Sequence, residues 1–303
     1  MSRAVKHEQA DLLVPAHLYG LRRGTTSVLT VVCVLFAIFV LAPLVWLLIN
    51  ATKNQANVYG SFGFWFAGPF RLFQNIAGLG QDISGAGVFI GWLGNTLLYA
   101  VVGAVGATIL SALAGYGFAR FRFRGANPLF FVVMATLLVP ITSLALPLFL
   151  VYAKVGLVNS IWGMILPSTV SVVGIYLMRT YIEASVPQEL IEAARMDGAS
   201  ELRIFLGIAM PLSVPGLVTV LLITIVAVWN NYFLPLIIFS KSTLYPLTVG
   251  LSSLSAAAES GTKADLIPVL ITGGLVTVLP LIVLFLLLER YFRAGALQGS
   301  LTG

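Results

Sequence analysis

Six stretches of this chain run without a single Asp, Glu, Lys or Arg: residues 24–52, 83–119, 125–153, 155–178, 204–240 and 266–288. Each is long enough to cross a bilayer. Crossing takes about 20 mainly apolar residues, because the hydrocarbon core is about 30 Å thick and a helix rises about 1.5 Å per residue. Backbone polar groups in lipid must pair internally, so apolar runs of this length mean helices rather than strands. Helix cores are expected at 27–49, 90–115, 128–153, 160–181, 211–234 and 267–289. The fold class that follows is all-α, a polytopic membrane protein with six transmembrane helices. Composition agrees: 9% of residues are charged, against about 25% in a soluble domain. Two shorter windows, 54–70 and 242–258, are interrupted by Gly, Pro, Ser, Asn or Gln and read as loops outside the membrane.

Six spans place both termini on one side, and the Lys/Arg distribution selects that side. With the termini inside, Arg3, Lys6, Arg22, Arg23, Arg120, Arg122, Arg124, Arg179, Arg195, Arg203, Arg290 and Arg293 are cytoplasmic. Only Lys53, Arg71, Lys154, Lys241 and Lys263 are external. The net charge of +6 is therefore mostly topology and needs no nucleic-acid partner. The domains expected are a cytoplasmic tail (1–26), a six-helix transmembrane domain (27–290) with an acidic loop at 183–210, and a cytoplasmic tail (291–303). Arg22 and Arg23 resemble the n-region of a signal peptide. The apolar run Val28 to Ile49 exceeds the usual h-region of about 7–15 residues, so it reads as the first span. Cys33, the sole cysteine, lies within that span and reads as packing.

The residues for catalysis are not there to assemble. Both histidines, His7 and His17, lie in the N-terminal tail, and no GxxxxGK[ST] phosphate loop, HExxH pair or GxSxG turn occurs. No metal or cofactor site is expected in this chain. Ionisable side chains deep in a span, the mark of ion-coupled carriers and pumps, are also missing; Arg179, Glu289 and Arg290 sit at helix ends and can snorkel. Uphill transport would draw its energy from a partner, while a channel or facilitator remains open.

Within the spans, Gly103, Ala107, Ser111 and Gly115 put small side chains on one helix face, where another helix can approach. "VPITSLALP" places Pro140 and Pro147 in mid-span, where a missing N–H bends or breaks a helix. Such a break is either a kink alone or a mid-membrane substrate site, and it makes Pro140 and Ser143 candidates for a solute pathway. "WNNYFLPL" adds Trp229, Asn230, Asn231 and Tyr232, whose rings and amides suit a hydroxyl-rich solute or an interfacial belt.

Five of the eleven carboxylates fall between Glu183 and Arg203, around "IEAARMDGAS". The stretch reads as helix, turn, helix. Ser185, Pro187 and Gln188 supply start signals, Glu189 and Glu192 favour the N-terminal dipole, and Gly198 stops the helix. Ser200 caps a second helix whose apolar stripe would be Leu202, Phe205, Leu206 and Ala209.

"EAARMDGASELRIFLGIAMP" resembles the EAA signature of ABC-importer membrane subunits: Glu192, Ala193, Ala194, then Gly198, Ile208 and Pro211. "NTLLYAVVGAVGATILSALAGYGFARFRFRG", from Asn95, looks like the start of the family's common transport core. "WNNYFLPL", "YPLTVGL" and the tail "ERYFRAGALQGSLTG" are similar to the carbohydrate-uptake branch, its maltose-type second permease, and the resemblance covers roughly residues 25–303. Asn231 stands where that branch often has an acid, and the tail lacks the commoner basic ending. The resemblance implies a type I importer permease fold in the bacterial cytoplasmic membrane. It implies that Glu189, Glu192, Ala193, Ala194, Asp197, Gly198, Ile208 and Pro211 couple to ATPase subunits, Glu192 foremost meeting basic groups there. The implied partners are a second permease subunit, two ATP-binding subunits holding ATP and Mg, an extracytoplasmic solute-binding protein, a sugar and membrane lipid. A permease for amino acids, phosphonates or polyamines fits the EAA signature equally.

Overall fold

The structure, a computed structural model, describes residues 23–80, 88–260 and 266–300, with side chains placed over 27–80, 88–260 and 266–288. The tail expected at 1–26 and Lys263 lie wholly or largely outside the described residues. Among those described, every regular element is helical. Four helices are long and apolar enough to cross a membrane, six when each of two bent pairs is counted as one span.

Helix α1 spans Arg23–Asn50. Two short helices follow, α2 (Gln55–Gly60), capped by the Asn54 side chain, and α3 (Leu72–Gly80). The window 54–70, expected to be loop throughout, thus holds one short helix. The long α4 (Val88–Arg120) is the central post. Its small-residue stripe does what the spacing predicts: Gly103, Ala107, Ser111 and Gly115 are all buried. A Cβ on Gly103 would lie 2.6 Å from Ser168 Cβ, and one on Gly115 2.7 Å from Met178 Cβ.

The third expected span is not one helix. α5 (Ala126–Ala135) and α6 (Ala145–Lys154) are separated by two 3-10 turns, and the pair is bent by 92°. Pro140 carries the break with extended backbone, φ −62° and ψ 121°. Pro147 does not, because it lies in the opening turn of α6, where a missing N–H leaves no helical bond unmade. The fourth span is α7 (Ile161–Ser168) and α8 (Val172–Ser185), each started by a serine: Ser160 accepts from Trp162 N, Ser171 from Gly174 N.

After α8 come α9 (Gln188–Met196) and α10 (Glu201–Ile204), a π-turn at Phe205–Ala209, and α11 (Met210–Leu212). The arm Glu201–Leu212 meets α12 (Val214–Trp229) at 79°, so the fifth span is shorter than the expected 211–234. α13 (Phe233–Ile238) and α14 (Leu247–Glu259) precede the last helix, α15 (Ile267–Ser300). α14 corrects the loop expected at 242–258. Its Gly250 lies against the Trp92 indole with no room for a Cβ, so tertiary packing holds a helix that its Ser/Ala/Gly composition conceals. α15 passes through 290–291 without a break, so the tail boundary placed there is not a structural one.

Two apolar cores share α4. One joins Trp92, Tyr99, Met164, Trp229, Ile238 and Leu247; the other joins Ala112, Tyr116, Met178, Ile182, Ile191 and Phe205. At the first end, Trp92 Nε1 donates to Ser242 O, Asn95 Nδ2 to Thr243 O and Tyr245 O, and Tyr99 OH to Leu244 O. Lys154 and Lys241 lie at this end, whereas Arg120, Arg122, Arg195 and Arg203 gather at the other.

Candidate functional site

The second core carries a projecting elbow, α9 with α10. Proline opens α9: Pro187 is its N-cap, and its fixed φ of −60° suits a helix start. Ser185 does not cap it, since its hydroxyl donates back to Tyr181 O at 2.8 Å, one turn into α8. Gly198 stops α9 with φ 76°, while Ala199 N bonds Ala194 O at 3.0 Å. Ser200 then accepts from Arg203 N at 3.4 Å and starts α10.

Burial divides the elbow sharply. Val186, Ile191 and Ile204 are at most 1% exposed and join the core beneath. Outward stand Glu189, Glu192, Ala193, Asp197 and Gly198, with Met196 at 88% exposure and Leu190 beside them. Ala194 and Ile208 are half-buried against the core, and Pro211 is exposed on the arm. The apolar stripe expected of the second helix is corrected. Phe205 and Ala209 face inward as expected, joined by Ile204, whereas Leu202 and Leu206 face outward, because the core beneath packs on the Ile204, Phe205 and Ala209 side of the arm.

Polar contacts lock the elbow to α4. Arg120 Nη2 donates to Ile182 O at 2.6 Å and to Val186 O, and its Nη1 to Gln188 Oε1 at 3.1 Å. Gln188 Nε2 passes the chain of bonds to Glu192 Oε1 at 3.1 Å. Arg195 holds Glu201 with two hydrogen bonds, 2.7 and 3.3 Å, and Tyr116 OH donates to the same carboxylate at 3.3 Å. The Arg195 guanidinium keeps the Glu201 carboxyl below its ordinary value, and the Arg195 pKa is raised in return. Glu183 pairs with Arg179 at 3.0 Å, and Arg179 lies 4.2 Å from the Phe130 ring centroid. Three of the five loop acids thus have partners within the chain, Glu183 and Glu201 in ion pairs and Glu192 through Gln188, while Glu189, Glu192 and Asp197 stand on the surface. The motif marked the surface residues; Arg120, Leu190, Met196 and Glu201 carried weaker signals.

A second feature lies near the two helix breaks. A cavity of about 280 Å³ is lined by Ile141, Ser168, Ser171, Thr224, Val228 and Asn231, among others, with no charged residue on its wall among the described residues. Among the described residues, Thr224 Oγ1 is buried without a hydrogen-bond partner, which carries a desolvation cost. Of the six pathway candidates, the structure brings only Asn231 to this wall. Pro140 contributes through its neighbour Ile141. Trp229 is buried in the first core, Asn230 bonds Val226 O at 2.9 Å, Tyr232 OH shares a bond with Ser252 Oγ at 3.1 Å, and Ser143 closes a 3-10 turn. Ser168, Ser171 and Thr224 went unseen because single hydroxyls in a span have no sequence signature.

Residues 107–296 match the family described as binding-protein-dependent transport system inner membrane component. The arabinooligosaccharides transport system permease protein AraQ of Halalkalibacterium halodurans is 34% identical over 72% of this chain and 76% of that protein. The lactose transport system permease protein LacG of Rhizobium radiobacter is 32% identical over 84% and 89%. The sn-glycerol-3-phosphate transport system permease protein UgpE of Yersinia pestis is 29% identical over 92% and 98%. The fold matches, with a TM-score of 0.75 and 24% identity over 91% of this chain and 97% of the other, a chain of a bacterial ABC transporter involved in the import of the acidic polysaccharide alginate.

Proposed function

Because this chain belongs to the family of binding-protein-dependent transport system inner membrane components, we propose that it is the membrane subunit of an ATP-driven sugar importer and forms half of the solute pathway. The Arg120 end faces the cytoplasm together with both termini, giving six passes. There the exposed face of α9, with Glu189, Glu192, Ala193, Met196, Asp197 and Gly198, docks on an ATP-binding subunit. Ile208 and Pro211 steady the arm behind it. ATP and Mg bind only in that partner, and this chain supplies no catalytic group. A second permease subunit completes the pathway, and an extracytoplasmic binding protein delivers the sugar.

One observation carries the reading: the acidic helix is exposed outward yet fixed inward by Ile191, Ile204 and the Arg120 bonds. A loosely held loop could meet a motor but would absorb its stroke. Here closure of the ATPase subunits displaces α9, and the second core passes that displacement to α4, α8 and α12. The uncharged cavity with its unpartnered Thr224 hydroxyl favours a neutral polyol over a phosphate ester, which would call for a cation in the wall.

Tagging this chain and identifying its copurifying subunits tests the assembly. In proteoliposomes, Glu192→Lys reverses the docking charge and Gly198→Val strains the left-handed turn. Both variants should lose most binding-protein-stimulated ATPase activity while inserting normally, and wild-type uptake in either would overturn the mechanism.

A further inference from the structure

The segment after α1 is unlike a water-facing loop. Residues 53–80 contain no Asp or Glu, yet Tyr59, Phe62, Trp65, Phe66, Phe70 and Phe73 are 59–76% exposed. Two geometric facts locate these rings. First, the most apolar window of α1 has no buried residue and the helix is exposed from Val28 to Leu41, which for an apolar span means lipid, while its last turn at Ile49 and Asn50 is buried against the protein. Second, the segment doubles back along α1 instead of leaving it. Gly63 packs so closely on the Trp46 indole that a Cβ would lie 2.5 Å from Nε1. Asn50 Nδ2 donates to Trp46 O at 2.8 Å and to Gly63 O at 2.7 Å. Trp46 lies four residues before the end of α1, about 6 Å along the axis. The rings near Gly63 therefore lie beside the last turns of a helix whose preceding length, Val28 to Leu41, is exposed, and not beyond its end.

Irregular backbone at that depth needs its carbonyls satisfied from within the protein. Asn50 and Lys53, both fully buried, do this: one bonds Gly63 O, the other extends Nζ to Phe62 O at 3.1 Å. Arg71 N then bonds Thr52 O at 2.8 Å and returns the chain to the end of α1, leaving Arg71 exposed among the rings. Aromatic rings beside a cation, with no carboxylate present, complement the phosphate and acyl boundary of a bilayer.

We propose that residues 58–73 form an aromatic platform seated in the outer leaflet at the headgroup–acyl boundary, held at that depth by the buried Asn50–Lys53 staple. This rests on the membrane-embedded orientation above.

Spin labels read the depth directly in the whole importer, assembled in proteoliposomes with cysteine-free partner subunits. Labels at Phe62→Cys, Phe66→Cys and Phe73→Cys, each in a Cys33→Ser background, are compared with native Cys33 as the lipid reference and Lys241→Cys as the aqueous one. The ratio of oxygen to nickel-chelate accessibility should be at least about threefold above that of Lys241→Cys and below that of Cys33. A ratio equal to that of Lys241→Cys means a water-facing docking loop, and loss of access to both reagents means cover by another protein; either overturns the platform. Should Cys33 itself read as aqueous, the membrane orientation fails first. Lys53→Met should loosen the Phe66→Cys label and raise its nickel-chelate access; an unchanged spectrum overturns the staple.

Discussion

Arg120 directs its guanidinium at main-chain oxygens, the carbonyls of Ile182 and Val186, and reaches the elbow only through Gln188. A planar fork can serve both carbonyls and an amide together, and a lysine ammonium cannot. Arg120→Lys should therefore keep the charge but lower the melting temperature and cut solute-stimulated ATPase activity, with charged hydrogen bonds worth about 1.5–3 kcal/mol at stake. The pair Arg195–Glu201 makes a smaller prediction, because both side chains are over a third exposed and screened by solvent. The folded Glu201 carboxyl titrates below its ordinary value of 4.5. Its stabilising effect is complete above that value and drains away as pH falls from there through the lower folded value. The gap in melting temperature between wild type and Glu201→Gln should be present at neutral pH and close in acid; a gap that widened on acidification would contradict the pairing.

The helices differ in how openly the sequence declares them. α1, α4 and α15 stand out because an uncharged run of bilayer length has few alternatives in lipid. The breaks were harder to place. Pro140 and Pro147 look alike in sequence, and only register decides that one interrupts a helix while the other opens one. α14 was hidden because serine, alanine and glycine resemble a loop until Trp92 packs on them. The elbow was readable from its glutamates, glycine and proline, but the Arg120 clamp was not: its acceptors are backbone groups that every residue possesses, about sixty positions away along the chain. Close approach makes the prediction at this scale. Met178 Cβ and the Arg179 backbone leave no space beside Gly115, so Gly115→Val must push α4 off α8. A cost of about 1–3 kcal/mol is expected, measured as a lower melting temperature together with weaker coupling.

Across the whole molecule the two cores divide the labour, one under the cavity and one under the elbow, with α4 running through both. Thr224 sits where they meet on α12. Thr224→Val keeps the shape of the side chain and deletes its unpartnered hydroxyl. Uptake should show a raised solute KM, with basal ATPase activity nearly unchanged and the melting temperature equal or higher; an unaltered KM would separate the cavity from transport. The clamp also has a consequence for how such proteins diversify. Since two of the three Arg120 bonds go to main-chain oxygens and the third to Gln188, the outer face of α9 can be rewritten at every position but Gln188 without slackening the linkage beneath it. A lineage of permeases is thereby free to change engines while keeping its transmission.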